Sequence, residues 1–399
     1  MKKIRLSAMM FLEFFIWGAW YVTVANFMIT KGMSDMTHWA FTVGPIAAIV
    51  APFFLGLIAD RYFATERVLG VMHLIGGVAM FCAPFFTSNP VIFILMLGLH
   101  MLCYQPTIGL ANTLAFHNIA DAEKEFPIIR MFGTIGWIVA GLVVSGWLKA
   151  DTTATPLQIA GIAGVLLGLY SFTLPHTPPP AKGKVTTFRE IIGIDALKKL
   201  GSPSFNVFLI SSLLICIPLA AYYNFSQTFV LAAGFDRPGF FLSFGQMSEV
   251  IFIVALPFFL KKWGFKWTLF VGMLAWALRY ALFSLGAPDA VTWMIVFGIV
   301  LHGICYDFFF VTGQIYVEKK ATPEIRGQAQ GLIVLVTYGV GMLIGAQIAG
   351  VLFNAVVNPS APNTEQLAQY QSFWMIPAIF AAVIMMLFMM LFKENKKRV

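Results

Sequence analysis

The sequence predicts an all-α polytopic membrane protein with 12 transmembrane helices in two six-helix halves. Three observations predict this fold class. The chain of 399 residues is 59% hydrophobic and only 11% charged, whereas soluble domains are about 25% charged. Apolar runs long enough to cross a bilayer recur along the whole chain, and two short motifs of the first half return in the second.

The apolar runs define the two halves. A bilayer core of about 30 Å requires about 20 helical residues. Such runs lie near 6–29, 38–59, 68–86, 91–117, 126–148 and 157–174, and then near 205–232, 239–260, 267–285, 291–317, 327–353 and 371–392. They predict an N-terminal bundle over 1–174, a cytoplasmic linker over 175–204 and a C-terminal bundle over 205–399.

The first run begins with basic residues, as a signal peptide does. It contains Glu13, however, and lacks a clear small-residue cleavage site, so we expect it to be a retained span. In the linker, a proline cluster precedes a stretch that places Phe188, Ile191, Ile192 and Leu200 on roughly one helical face. This pattern fits a helix on the cytoplasmic membrane surface, and a plain solvated linker fits it equally well.

The basic residues indicate the orientation in the membrane. The segments 2–5, 61–67, 124, 182–199, 261–266, 319–326 and 393–398 hold 21 of the 26 Lys and Arg residues, and the alternate loops hold three. This bias follows the positive-inside rule and predicts cytoplasmic termini. Because position explains the net charge of +8, we expect no nucleic-acid partner.

No feature of the sequence predicts a cofactor. The four cysteines, Cys82, Cys103, Cys216 and Cys305, lie inside apolar runs without metal-ligand spacing, so we expect no metal site and no disulfide framework. The chain shows no phosphate loop and has no room for a nucleotide-binding domain. An ion gradient is therefore the expected energy source.

The two repeated motifs indicate internal duplication. LHMLCYQ at 99–105 returns as LHGICYD at 301–307, and PFFL at Pro52 returns at Pro257, with offsets of 202 and 205 residues. Both pairs fall in equivalent spans of the two halves. Parallel six-span halves are an architecture of secondary transporters, whose binding site lies between the halves near the middle of the membrane.

Ionisable residues inside the spans are the candidate functional groups, because a charge at the bilayer centre costs roughly 2.5–3.5 kcal/mol. In span 5, Arg130, Thr134 and Trp137 share one helical face. We interpret the Arg130 guanidinium as pointing into a cavity. Snorkelling to the membrane surface is the alternative.

Two carboxylates of the second half stand out. Gln246 and Glu249 share a face in the middle of span 8, and span 10 carries Tyr306 next to Asp307. A carboxyl held between desolvation and a nearby arginine can exchange a proton near neutral pH. We expect Asp307 or Glu249 to couple transport to protons, with a structural ion pair at Glu249 as the alternative.

The remaining polar residues are weaker candidates. In span 7, Asn224 and Gln227 share a face and suit a neutral, hydrogen-bonding substrate or, equally, contacts between helices. We expect Glu13 to face a wet cytoplasmic vestibule, with a second proton site as the alternative. We expect Arg279 to snorkel or to pair structurally. His73 and His100 are expected to make helix-packing hydrogen bonds, and His302 is a weak site candidate.

Several stretches resemble a known family. The loop with Gly56, Asp60, Arg61 and Arg67 is similar to the gating loop after span 2 in the major facilitator superfamily, although the second glycine of that signature is missing. FPIIRMFGTIGW, GQMSE with the following PFFL, CYDFFFVTGQIYVEKKATPEIRGQAQG and TLPH resemble the bacterial nucleoside:proton symporters of this superfamily. The resemblance covers essentially the whole chain.

The resemblance implies functional residues. They are Arg130, Thr134, Trp137, Gln246, Glu249, Tyr306 and Asp307. The family has Phe at the positions of Trp137 and Tyr306, and Tyr at that of His302. Its span 7 amides do not align cleanly with Asn224 and Gln227.

The resemblance implies a multi-pass protein of the bacterial inner membrane that imports nucleosides with protons by alternating access. We expect a monomer, although the sequence leaves the oligomeric state open. We expect it to be no enzyme. A symporter or exchanger for sugars or other small polar solutes on the same scaffold is the first alternative. An intramembrane enzyme using His302 and Asp307 is the second, although the sequence places no nucleophile beside them.

Overall fold

The computed structural model describes residues 2–54, 62–179, 189, 192–322 and 325–394. Within these ranges the chain forms helices and turns and no β-strand, as an all-α membrane protein requires. Contacts divide the chain into two units. The first comprises Met1–Ile191 with Arg237–Phe240, and the second comprises Ile192–Asp236 with Phe241–Val399.

Seven α-helices make up the described part of the first unit. They are α1 Lys2–Tyr21, α2 Val24–Thr30, α3 Thr37–Phe54, α4 Thr65–Cys82, α5 Pro90–Asn118, α6 Ala122–Gly141 and α7 Thr155–Ser171. A π-helical segment, Leu142–Trp147, extends α6. α5 shows why a helix begins where it does: Pro90 supplies a preset φ at the first turn, and the Asn89 side chain accepts hydrogen bonds from the amides of Val91 and Ile92.

The second unit continues the numbering. Its helices are α8 Ile194–Leu200, α9 Pro203–Ala232, α10 Pro238–Gly286, α11 Thr292–Val300, α12 His302–Cys305, α13 Thr312–Lys320, α14 Arg326–Val334, α15 Met342–Val356 and α16 Asn363–Leu391. π-Helical segments at Tyr306–Val311 and Leu335–Gly341 join α12 to α13 and α14 to α15. Such segments widen a helix locally and are frequent at functional sites.

By length and composition, ten helical segments of the described residues can cross a membrane. The predicted run at 157–174 corresponds to the shorter α7, and the predicted runs at 239–260 and 267–285 lie within the single helix α10. α10 is broken at Gly264, which has φ 73°. There the Glu394 carboxylate accepts hydrogen bonds from the amides of Phe265 and Lys266 and so caps the second part of the helix. The count of twelve spans stays a prediction.

A buried carboxylate, Asp151, attaches residues 237–240 to the first unit. Asp151, between α6 and α7, accepts hydrogen bonds from the Gly239 amide at 3.0 Å and the Ser145 hydroxyl at 2.8 Å. Ser145 in turn accepts from the Phe240 amide. Burial raises the pKa of the Asp151 carboxyl, and these hydrogen bonds oppose the rise. They hold residues 237–240 in the first unit.

The linker is only partly described. Phe188 and Ile191 lie outside the described residues, so the predicted surface helix is not tested at those positions. α8 follows Gly193, whose φ of 73° favours glycine. α8 buries Ala196 and Leu200 and packs against α14.

Glycines permit close helix contacts in the first unit. At Gly136 on α6, a Cβ atom would clash with the Phe11 carbonyl oxygen of α1. At Gly77 on α4, it would lie 2.7 Å from the Val165 amide nitrogen of α7. Small residues permit such backbone approach, which brings packing and weak backbone contacts within range in a membrane.

We expect Gly136→Ala to destabilise the protein by about 1–3 kcal/mol, because α1 and α6 must separate to admit the methyl group. Thermal unfolding in detergent, followed by size-exclusion recovery, measures the effect. Gly331→Ala is the matched control, since nothing lies within 4 Å of a Cβ atom at Gly331. Equal unfolding temperatures of the two variants would contradict the tight α1–α6 contact.

Candidate functional site

In the first unit, Arg130 stacks on an aromatic ring. Its guanidinium carbon lies 4.0 Å from the centroid of the Phe14 ring on α1, a cation–π geometry. Gly133, one turn further along α6, leaves room for this pair, because a Cβ atom there would lie 2.8 Å from Arg130 Nη1 and 2.7 Å from Phe14 Cδ2. The guanidinium is thus held against α1.

Trp137 lies on the same face of α6, two turns after Arg130. Its ring packs edge-on against Trp17, at 5.3 Å between centroids, and against Tyr21, at 6.3 Å. Thr134 lies between Arg130 and Trp137 along this face and is half-buried. The α6 face predicted from the sequence therefore meets an aromatic face of α1.

The sequence analysis missed that aromatic face. Phe14, Trp17 and Tyr21 follow one another at helical spacing in FFIWGAWY, and Trp17 also packs against Tyr104 on α5. The spacing was visible in the sequence. In so apolar a chain, however, an aromatic stripe is equally typical of contact with lipid.

Glu13 is buried rather than facing a wet vestibule. Its side chain is 0% exposed, so the prediction of a wet cytoplasmic vestibule around Glu13 is wrong. One carboxylate oxygen lies 2.8 Å from His73 Nε2 and the other 2.7 Å from the Thr107 hydroxyl.

The expected hydrogen bond of His100 is confirmed, since its Nδ1 donates to the Gly76 carbonyl at 2.9 Å.

In the second unit, the span 7 amides are buried without partners. Asn224 is 0% and Gln227 1% exposed on α9. None of their four side-chain nitrogen and oxygen atoms has a hydrogen-bond partner among the described residues. Contacts between helices, one of the two expectations, therefore do not explain these amides. An unsatisfied buried amide costs about 1–3 kcal/mol, so their retention requires another reason.

Glu249 is positioned by a close contact between α10 and the helix α12. The Ser248 hydroxyl lies 2.7 Å from the Val300 carbonyl and 3.0 Å from the Gly303 amide. A Cβ atom at Gly303 would come within 2.6 Å of the Glu249 amide nitrogen. The contact places Glu249, whose side chain is 24% exposed, 4.0 Å from His302 Nε2. Gln246, one turn earlier on the same face, is 9% exposed.

Arg279 is buried inside the second unit. It is 0% exposed, so the expectation that its side chain snorkels to the membrane surface is wrong. Its Nε donates to the Gly298 carbonyl at 3.0 Å, its Nη1 lies 3.1 Å from His302 Nδ1, and its guanidinium stacks 3.6 Å over the Tyr222 ring. The alternative expectation of structural pairing is correct.

The Arg279 contact determines the tautomer of His302. A guanidinium only donates hydrogen bonds, so His302 Nδ1 must accept and the ring proton sits on Nε2. Nε2 is the nitrogen that faces Glu249. Arg279 thereby directs a hydrogen-bond donor at a candidate coupling carboxylate through a neutral ring.

Asp307 lies in the π-helical segment Tyr306–Val311 and is 0% exposed. Neither carboxylate oxygen has a hydrogen-bond partner among the described residues. Tyr306 is half-buried and packs against Phe310, with ring centroids 5.4 Å apart, and against His302 at 6.0 Å. Asp307 is thus a buried acid with an aromatic neighbour, and no described residue supplies a hydrogen bond to its carboxylate.

The predicted gating loop is mostly outside the described residues, which include neither Gly56, Asp60 nor Arg61. Arg67 is exposed in the first turn of α4. Its neighbour Glu66, which the sequence analysis missed, is buried and accepts hydrogen bonds from His176 Nδ1 and the Thr177 amide, both at 2.9 Å.

Within the described ranges, no group of three or more His, Cys, Asp or Glu residues could hold a metal ion.

Comparison with known proteins identifies the family of the chain. The sequence model of the Nucleoside H+ symporter family matches residues 1–397. The chain is 38% identical to the putative nucleoside transporter YegT of Escherichia coli (strain K12), over 99% of this chain and 95% of that protein. It is 31% identical to the nucleoside permease NupG of the same organism, over 100% of this chain and 97% of that protein.

The fold is also that of a solved transporter. The crystal structure of the nucleoside transporter NupG superposes with a TM-score of 0.87 at 29% identity, covering 98% of this chain and 99% of that one. Peptide transporters match at 15% identity or less, and these likenesses concern the fold alone. On the family match over nearly its whole length, the chain belongs to the nucleoside H+ symporter family.

Proposed function

We propose that this protein imports nucleosides together with protons across the bacterial inner membrane by alternating access, with both termini in the cytoplasm. The family match over residues 1–397 carries the proposal. The proton gradient supplies the energy: each elementary charge that moves through 100 mV yields about 2.3 kcal/mol.

The unpartnered amides support a nucleoside as the substrate. Asn224 and Gln227 present two amide NH2 groups and two amide oxygens that nothing in the described protein satisfies. A nucleoside is neutral and offers complementary groups on its base edge and its ribose hydroxyls. A site built to hydrogen-bond such groups rejects analogues that lack them, because its buried polar atoms would then stay unpaired.

The proposed substrate contacts follow from the residue chemistry of each unit. In the first unit they are Arg130, Thr134 and Trp137, and in the second unit Asn224, Gln227, Gln246, Glu249, Tyr306 and Asp307. Trp137 and Tyr306 each have an aromatic face suited to stacking on a base, which is worth about 1–3 kcal/mol per base.

Asp307 and Glu249 are the proposed proton-coupling groups. An ionised carboxylate buried without a hydrogen-bond partner is costly, and protonation removes most of that cost. Asp307 meets this description, whereas Glu249 is partly exposed and faces the His302 ring. We assign the coupling proton to Asp307 and a role in binding and proton relay to Glu249.

In proteoliposomes with an alkaline lumen, we expect the wild-type protein to accumulate labelled uridine or adenosine, and we expect an uncoupler to abolish accumulation. Asp307→Asn should lose accumulation, because an amide cannot release a proton. Competition by free ribose but not by nucleosides would instead assign the protein to sugar transport. Normal accumulation by Asp307→Asn would move the coupling role to Glu249.

We expect Gln227→Met to weaken uridine binding about 10- to 100-fold without lowering the unfolding temperature of the substrate-free protein. The change removes unsatisfied buried polar atoms at nearly constant shape, which is close to neutral for stability. Isothermal titration and thermal unfolding measure the two effects. Gln314→Met, at an exposed position, is the control for the chemical change. An unchanged dissociation constant for uridine would exclude Gln227 from the site.

A further inference from the structure

A second buried acid occupies the first unit, with a hydrogen-bonded environment unlike that of Asp307. Glu13 and His73 have side chains 0% and 2% exposed, and Glu13 Oε2 lies 2.8 Å from His73 Nε2. Glu13 Oε1 lies 2.7 Å from the Thr107 hydroxyl. The Tyr104 hydroxyl donates to the Glu13 carbonyl at 2.6 Å, which fixes the α1 backbone at this point.

The Thr107 hydroxyl can serve two acceptors. Its oxygen lies 2.7 Å from Glu13 Oε1 and 2.5 Å from the Tyr104 carbonyl oxygen, but the hydroxyl has only one hydrogen to donate. The carbonyl can only accept. When Thr107 donates to it, the hydroxyl oxygen is free to accept a hydrogen bond from Glu13.

Two complete hydrogen-bond arrangements follow. When Glu13 is ionised, Thr107 donates to Oε1 and His73 Nε2–H donates to Oε2. When Glu13 is protonated on Oε1, the acid donates to Thr107, Thr107 donates to the Tyr104 carbonyl, and His73 still donates to Oε2. Glu13 can therefore gain or lose a proton without leaving any of these groups unpaired, which a buried carboxyl rarely can.

We infer that Glu13, with His73 and Thr107, is a proton-binding site of the first unit. It takes one proton from water and returns one proton to water in each transport cycle. The inference rests on the proposed function, since it concerns proton coupling, and it adds a site to Asp307 and Glu249. The cluster is closed to solvent in the described conformation, so exchange with water belongs to another conformation of the cycle.

Among the described residues, His73 is the ionisable side chain that lies within hydrogen-bond distance of the Glu13 carboxylate. α4 contributes His73, and α5 contributes Tyr104 and the stacked ring of His100. From α6, the Arg130 guanidinium stacks over Phe14, the residue next to Glu13. α7 contributes Tyr170, whose hydroxyl donates to the Arg5 carbonyl two turns away on α1. At the start of α1, Lys3 pairs with Glu125 of α6.

Glu13→Gln mimics the protonated acid, because an amide can donate to Thr107 and accept from His73 but cannot release a proton. The protein is reconstituted in liposomes that contain a pH-sensitive dye, and uridine-driven proton uptake and uridine flux are measured together. We expect the number of protons moved per uridine to fall by one in Glu13→Gln, with the uridine dissociation constant within about twofold of wild type. An unchanged proton-to-uridine ratio would overturn the inference.

The Thr107 hydroxyl provides a second test if Glu13→Gln does not fold. Thr107→Val removes a charge-assisted hydrogen bond from ionised Glu13. The midpoint of the pH profile of uridine uptake should therefore move to higher pH by about one unit, a tenfold change in proton affinity, and Thr107→Ser should restore it. Thr113→Val is the matched control, since the Thr113 hydroxyl donates to the Gly109 carbonyl of its own helix. A Thr107→Val profile equal to that of the control would overturn the inference.

The two proposals fail in different ways. If the wild-type protein carries uridine without moving protons, proton coupling is wrong for this protein, and the Glu13 site falls with it. If the wild-type protein moves protons and Glu13→Gln moves as many, the proposed function stands and only the Glu13 site is refuted.

Discussion

Every polar group in the hydrocarbon region must find its hydrogen-bond partner inside the protein, because lipid offers none. Arg279 meets most of this requirement: its Nε donates to the Gly298 carbonyl, its Nη1 donates to His302 Nδ1, and its guanidinium stacks on the Tyr222 ring. Its Nη2 is the one guanidinium nitrogen without a hydrogen-bond partner among the described residues. The side chains of Asn224, Gln227 and Asp307 are equally buried, and their polar atoms have no hydrogen-bond partner among the described residues. The contrast separates the two kinds of intramembrane polar residue. Arg279 holds helices together through its contacts, whereas the two amides and Asp307 offer polar groups that a substrate or a proton can satisfy.

The repeated motif of the two halves illustrates how partners decide chemistry. LHMLCYQ and LHGICYD place a histidine four residues before a tyrosine in equivalent helices. His100 faces a carbonyl, so its Nδ1 must carry the proton, whereas His302 faces a guanidinium, so its Nδ1 must be bare. In the first copy, the hydrogen bond of His100 holds α5 against α4. The other directs its remaining N–H at Glu249, and the residue after its tyrosine is an acid, Asp307, in place of an amide.

Glycines allow these groups to reach one another. Gly133 leaves space for the stacked pair of Arg130 and Phe14, and Gly303 lets α10 approach so closely that Glu249 lies beside His302. In both places a methyl group would meet either an aromatic ring or backbone atoms, and a displaced backbone would carry the charged side chain away with it. The positions of these ionisable groups therefore depend on close helix packing.

The sequence alone determined the features that depend on local pattern. Apolar length predicted an all-helical membrane protein, and 3.6-residue spacing predicted the shared face of Arg130, Thr134 and Trp137. The cost of burying a charge marked Asp307 and Glu249 as candidate functional groups. Only the tertiary structure decided which groups meet, because the partners of Glu13, for example, lie 60 and 94 residues away in the chain. Spacing along one helix gives no information on contacts between helices. The sequence therefore does not distinguish Glu13, which has two partners, from Asp307, which has none among the described residues.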